Sequence, residues 1–194
     1  MIDRLANAIG PDNAFTHELN HRQEHSVELS AVWLHHIYHR AHASPPPMIP
    51  ILVGSFQHYL ENGAHPADDP HITKFIDALR WETAEKKVLA VASVDLAHVG
   101  PNFGDYFGMN EALSAELQSE DEKLMAAIRR GDAAGFYDQI ASVKDRNRIC
   151  GFSSIYLLLR FLGEQASGIQ VAYDQCPADG ENTSVVSICG LLLE

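Results

Sequence analysis

"KVLAVASVDLAHVG", residues 87–100, decides how the rest of the chain is read. Lys87 to Val94 is an almost unbroken apolar run with several β-branched side chains. A strand covered on both faces has that composition, whereas a half-exposed strand alternates. The run ends in Asp95, with His98 three residues later. In layered α/β proteins, ligands collect beyond the carboxyl ends of the strands. The stretch therefore predicts a sheet strand and a candidate site at its end.

Three more segments read as strands: "MIPILVG" (48–54), "IQVAYDQ" (169–175) and "SVVSICGLLL" (184–193). The prolines of "SPPPMIP" end a helix and hold the chain extended before the first of these. "NGAHPADDPH" is a polar loop. Between the strands the apolar period becomes helical. Val27, Ala31, Leu34, Tyr38 and Ala41 form one stripe, and Ile72, Phe75, Ile76 and Leu79 another. "SEDEKLMAAIRRG" opens on a capping serine and acids and closes on two arginines and a glycine, the order that a helix dipole favours. "DAAGFYDQIASV" reads as a shorter helix and "GFSSIYLLLRFLGEQ" as a buried one. Strands alternating with helices predict an α/β fold, with a layered sheet flanked by helices on both faces.

The formal net charge of −12 repels nucleic acid and anionic lipid, so neither is an expected partner. No apolar run is long enough to span a bilayer, and the opening residues lack the apolar core of a signal peptide. Three cysteines, an odd number without an export signal, predict free thiols in a reducing, cytoplasmic setting.

Three places could carry chemistry. Imidazole exchanges protons near neutral pH, and a neighbouring carboxylate can fix its tautomer or bind a cation, which suits His98 and Asp95. The plainer reading is that Asp95 caps a turn and His98 satisfies backbone groups. In "HRQEHSVE" (21–28), His25 and Glu28 share a helix face, and His21 and Glu24 add further potential ligands. An ordinary helix start with acids near its positive end accounts for that stretch equally well. Cys150 and Gly151 precede an apolar helix, where the dipole, Arg146 and Arg148 would favour a thiolate: a nucleophile, a redox group or a soft metal ligand. A small residue at a tight packing point is the alternative. Cys189 reads as core and Cys176 as a loop residue. The histidines of the first third (His17, His21, His25, His35, His36, His39 and His42) read mostly as solvated.

In order along the chain, "EHSVEL", "IPILVG", "ASVDLAHVG", "ICGFSSIYLLL" and "ENTSVVSICG" resemble the Memo family, that of the AmmeMemoRadiSam system protein B. The resemblance covers essentially the whole chain. It implies the fold of class III extradiol dioxygenases, which use non-haem iron. It implies a pocket with Cys150 as a metal ligand, His98 in the acid–base position and Asp95 beside it. The metal set in this chain is then Cys150, His98 and Asp95, holding iron, with copper as the alternative. Glu24, His25 and Glu28 are the matching binding residues.

Two metal-ligand histidines of the family, in P-H-A-G-Y and G-P-S-H-H segments, have no match. The resemblance thus makes residues 1–194 one domain spanning the C-terminal two-thirds of the family's. A site short of those ligands would hold metal weakly or lack it, and an unpaired sheet edge would invite self-association. Three functions follow as expectations: a metal-binding protein without catalysis, a dioxygenase or hydrolase using His98, and a module binding a small molecule or peptide.

Overall fold

The computed structural model describes residues 1–22 and 24–194. They form two compact units, Met1–Gly54 with Ala64–Ser93, and Ser55–Gly63 with Val94–Glu194.

The first unit is helical. Helix α1 (Ile2–Ile9) packs on α5 (Pro70–Thr83), burying Leu5, Ala6 and Ile76. Helix α5 starts inside the stretch read as a polar loop. Asp69 accepts the His71 N–H at 2.7 Å, and Pro70 occupies the first turn, where no N–H is needed. Arg4 forks onto the buried carboxylate of Glu82. Between them lie α2 (Pro11–Phe15), a 3-10 turn (Glu18–Arg22) and α3 (Ser26–Arg40). Of the predicted stripe, Val27, Ala31, Leu34 and Tyr38 are half-buried in α3, while Ala41 lies past the helix end and is exposed. Its opposite side leaves Leu29, Val32, Trp33 and Ile37 exposed.

Two expected strands do not form. Residues 48–54 and 87–94 join no ladder among the described residues, and Ile49, Ile51, Val88, Leu89 and Val91 are exposed. An apolar run favours extended chain and burial. A strand also needs a neighbour to take its N–H and C=O groups, and the run does not provide one.

The second unit is α/β, as expected. Its sheet is antiparallel in the order β1–β3–β2, from β1 (His98–Val99), β2 (Gly168–Pro177) and β3 (Val185–Leu193). The predicted strands 169–175 and 184–193 are the β2–β3 hairpin, with Tyr173 opposite Cys189. Cys176 lies in β2 rather than in a loop.

Helix α6 (Glu111–Arg129) covers one face of the hairpin. Across that contact Arg129 donates to Gln170, Tyr173 donates to Asp121, and Gln175 donates to the Ser114 carbonyl, at 2.7, 2.9 and 2.9 Å. A bulge between Gln170 and Ala172 keeps these side chains on one face. Ile169, Val171, Ile188 and Leu192 are exposed.

Helix α6 starts at Asn110, whose side chain accepts the Leu113 N–H at 3.0 Å, and not at the predicted Ser119. Helices α7 (Ala133–Ser142) and α8 (Phe152–Leu162) complete the core with Phe136, Ile140, Tyr156 and Leu159. Helix α4 (Gln57–Asn62) follows Phe56, whose ring meets Phe152 and Tyr156 edge-on at 5.7 and 5.6 Å. Among the described residues, no helix is long and apolar enough to cross a membrane.

Candidate functional site

Residues 95–98 form a strap bonded along both sides. Towards β3, Leu96 donates to the Ser187 carbonyl, Ser187 donates back to the Ala97 carbonyl, and Ala97 donates to Ser187 Oγ, all at 2.9 Å. On the other side His98 donates to the Asn147 carbonyl at 2.8 Å. Cys150 and Gly151 donate to the Leu96 and Asp95 carbonyls at 3.0 and 2.8 Å. Leu96 and Ala97 are buried, while Asp95 and His98 reach outward.

Gly151 allows the close approach. A Cβ there would stand 2.7 Å from atoms of Ile155 and Val94 and 2.9 Å from the Asp95 carbonyl. Two remote sequence motifs, D-x-x-H and C-G, thus meet along one backbone seam.

The His98 ring has an asymmetric setting. Nδ1 lies 3.3 Å from the Leu96 carbonyl, and Nε2 lies 3.9 Å from Asp95 Oδ2. Phe103 meets the ring edge-on at 5.0 Å. A proton on Nδ1 satisfies the Leu96 carbonyl and leaves the Nε2 lone pair towards Asp95; the tautomer is assigned from these contacts. The side chain of His98 is 20% exposed and that of Asp95 48%. The gap between Nε2 and Oδ2 exceeds hydrogen-bond length.

The turn after His98 is clamped from the far side of the sequence. Gly100 has φ 115, and a Cβ on it would come within 2.4 Å of the Thr183 carbonyl. Asp105 accepts the Gly100 N–H at 2.9 Å and a fork from Arg148 at 2.7 and 3.1 Å. Arg148 also donates to the His98 carbonyl at 3.1 Å. The Arg148 fork holds the Asp105 carboxyl below its usual range despite partial burial. Arg146 pairs with Glu116 and Glu120. Both arginines expected to favour a Cys150 thiolate are therefore engaged by carboxylates. Cys150 itself is exposed and free.

Asp121 lies beneath the strap at 0% exposure. It bonds Tyr173 and Ser187, its Oδ1 has no partner among the described residues, and burial pushes its carboxyl up. Burial, then the Asp121 charge, raise the Cys189 thiol to about 11.

The "HRQEHSVE" residues belong to the first unit. Glu24 accepts the Ser26 N–H at 2.9 Å, which lowers its carboxyl below the usual range. His25 occupies the cap position of α3, and Glu28 its first turn; both are exposed. That is the helix-start arrangement.

Among the described residues, no three His, Cys, Asp or Glu side chains are grouped to hold a metal ion. Asp95, His98 and Cys150 share a backbone seam without forming such a centre. These donors do not fit the implied iron or copper. A groove of about 310 Å³ lies between α6 and β2, lined by Gln118, Ser119, Glu122, Met125, Gln170 and Tyr173. None of the sequence-predicted site residues lines it.

Sequence reading missed the roles of Asp105, Phe103 and Arg148. The glycine-bracketed "GPNFGD" immediately after His98 was the available signal for the first two.

A family model described as Memo-like protein matches residues 5–192. No curated protein matches the chain.

Proposed function

The chain belongs to the Memo-like protein family, and on that premise we propose that it binds a small molecule whose ionisable O–H or N–H is handled by His98 and Asp95. The carrying observation is the 3.9 Å gap between His98 Nε2 and Asp95 Oδ2. It is too long for a direct bond, and the partly exposed groups on either side suit a polar atom of a ligand inserted between them. With Nδ1 towards Leu96, Nε2 accepts a hydrogen bond from the ligand's O–H or N–H, and Asp95 stabilises the positive charge the imidazole gains as that proton is shared. The backbone bonds of the strap fix the distance at which this happens. The free carboxylate of Asp95 disfavours an anionic ligand.

A thermal-shift and NMR screen of phenols, alcohols and amines tests the reading. A true ligand perturbs the His98 resonances, and its affinity falls at least about tenfold in His98→Ala, the scale of one lost charge-assisted hydrogen bond. A ligand bound equally well by His98→Ala and Asp95→Asn would refute the role given to the pair. Stoichiometric iron or copper in the purified protein, lost in Cys150→Ala, would replace this reading with a metal centre.

A further inference from the structure

We infer that Arg148 is the positioning residue of the His98 site, holding the imidazole in register from a turn that is distant in sequence. The inference rests on the proposed role of His98 and adds the device that maintains it.

Both main-chain polar groups of His98 are held by consecutive residues of one turn. The N–H goes to the Asn147 carbonyl at 2.8 Å, and the carbonyl receives Arg148 Nη1 at 3.1 Å. The guanidinium also forks onto Asp105, which grips the Gly100 N–H two residues past His98. Residues 98–105 are thereby closed into a loop with the imidazole at its mouth and Phe103 against its edge. Only a planar fork serves both acceptors; an ammonium offers a point charge without that geometry.

The backbone shows the constraint independently. Lys144, Asp145 and Arg148 all have φ of 52–53, the left-handed region that non-glycine residues avoid. Such a turn persists only where its surroundings over-determine it. Here Asp145 accepts the Ile149 N–H at 2.8 Å, and Arg148 makes its three bonds. The charged groups around the imidazole are Asp95 on its own strap, Asp105 on the following turn and Arg148 on the opposing one.

The test is ¹⁵N-histidine NMR on the full chain, with the His98 signal assigned through His98→Gln. In the wild type one tautomer, protonated at Nδ1, should dominate. In Arg148→Lys the two tautomers should approach equal population. Asp105→Asn should do the same, and the double variant no more than either alone, because all three break one clamp. Asp105→Asn carries the test if Arg148→Lys does not fold. A His98 tautomer ratio unchanged in a folded variant, with only the melting temperature lowered, would reduce Arg148 to a structural role. These readouts need no ligand, so a failed ligand screen would defeat the proposed function and leave this inference standing.

Discussion

Each unit of the chain buries one carboxylate, and the two are handled in opposite ways. In the first, Glu82 is 6% exposed and faces the guanidinium of Arg4, which holds its carboxyl below the usual range. In the second, Asp121 is fully buried with a tyrosine and a serine for partners and no cation in any ion pair, and its carboxyl is pushed up. Burial alone raises an acid; a matched cation reverses the sign. The same contrast holds for packing. In the second unit α6 and α8 bury large side chains, whereas α3 in the first buries none and exposes Trp33 at 64%. The stripe of α3 was read from its period, so periodicity indicates where a helix forms without indicating how much covers it.

The largest effect should come from the dense side of this contrast. Phe136→Ala, which empties a fully buried position between helices, should cost about 3–5 kcal/mol in denaturant unfolding. A cost near zero would show the second unit's core to be loosely packed. Gly151→Ala should follow at roughly 1–3 kcal/mol, since its Cβ must displace Ile155, Val94 or the Asp95 carbonyl. It should also disturb Asp95, whose carbonyl Gly151 bonds.

The two carboxylates sharpen the comparison through pH. The folded pKa of Asp121 lies above its ordinary value of 3.8, so its share of stability is present below that value and is lost as pH rises through the folded pKa. Asp121→Asn should remove that decline, worth up to about 1.4 kcal/mol per pH unit while one proton is released. Glu82 has the opposite sign. Its folded pKa lies below 4.5, so its contribution is present above that value and disappears as pH falls through the folded pKa. Glu82→Gln should flatten the acid limb. Parallel slopes in the two variants would contradict the opposed environments.

Lys144→Gly should stabilise by about 0.5–1 kcal/mol, because glycine adopts φ 52 without the steric cost that lysine bears there. The smallest change belongs to the first unit. Trp33→Ser, on the exposed stripe of α3, should fall within about 0.5 kcal/mol of wild type while reducing the binding of a hydrophobic dye. A loss of several kcal/mol would mean that something covers the stripe in solution.

The legible parts of the fold were those whose signal is local. The helical stripe of Ile72, Phe75, Ile76 and Leu79 and the hairpin strands could be read from neighbours a few residues apart. Residues 48–54 and 87–94 could not, because an apolar run does not carry its pairing partner with it. At the site, Asp95 and His98 stood out because they interrupt an apolar run, and Cys150 because it precedes a helix. The bonds between the two segments, Gly151 to Asp95 and Cys150 to Leu96, have no trace in either one.

The sequence alone therefore established the α/β class, the helices and the pair of polar residues that end the apolar stretch, since each depends on side chains within a few positions of one another. The fork of Arg148 on Asp105, 43 residues apart, and the burial of Asp121 beneath Tyr173, 52 residues away, were decided only when the chain folded. A guanidinium meets a carboxylate, and a carboxylate loses its water, through contacts that span most of a unit. Those contacts determine which nitrogen of His98 is free and which buried carboxyl is pushed above its ordinary range.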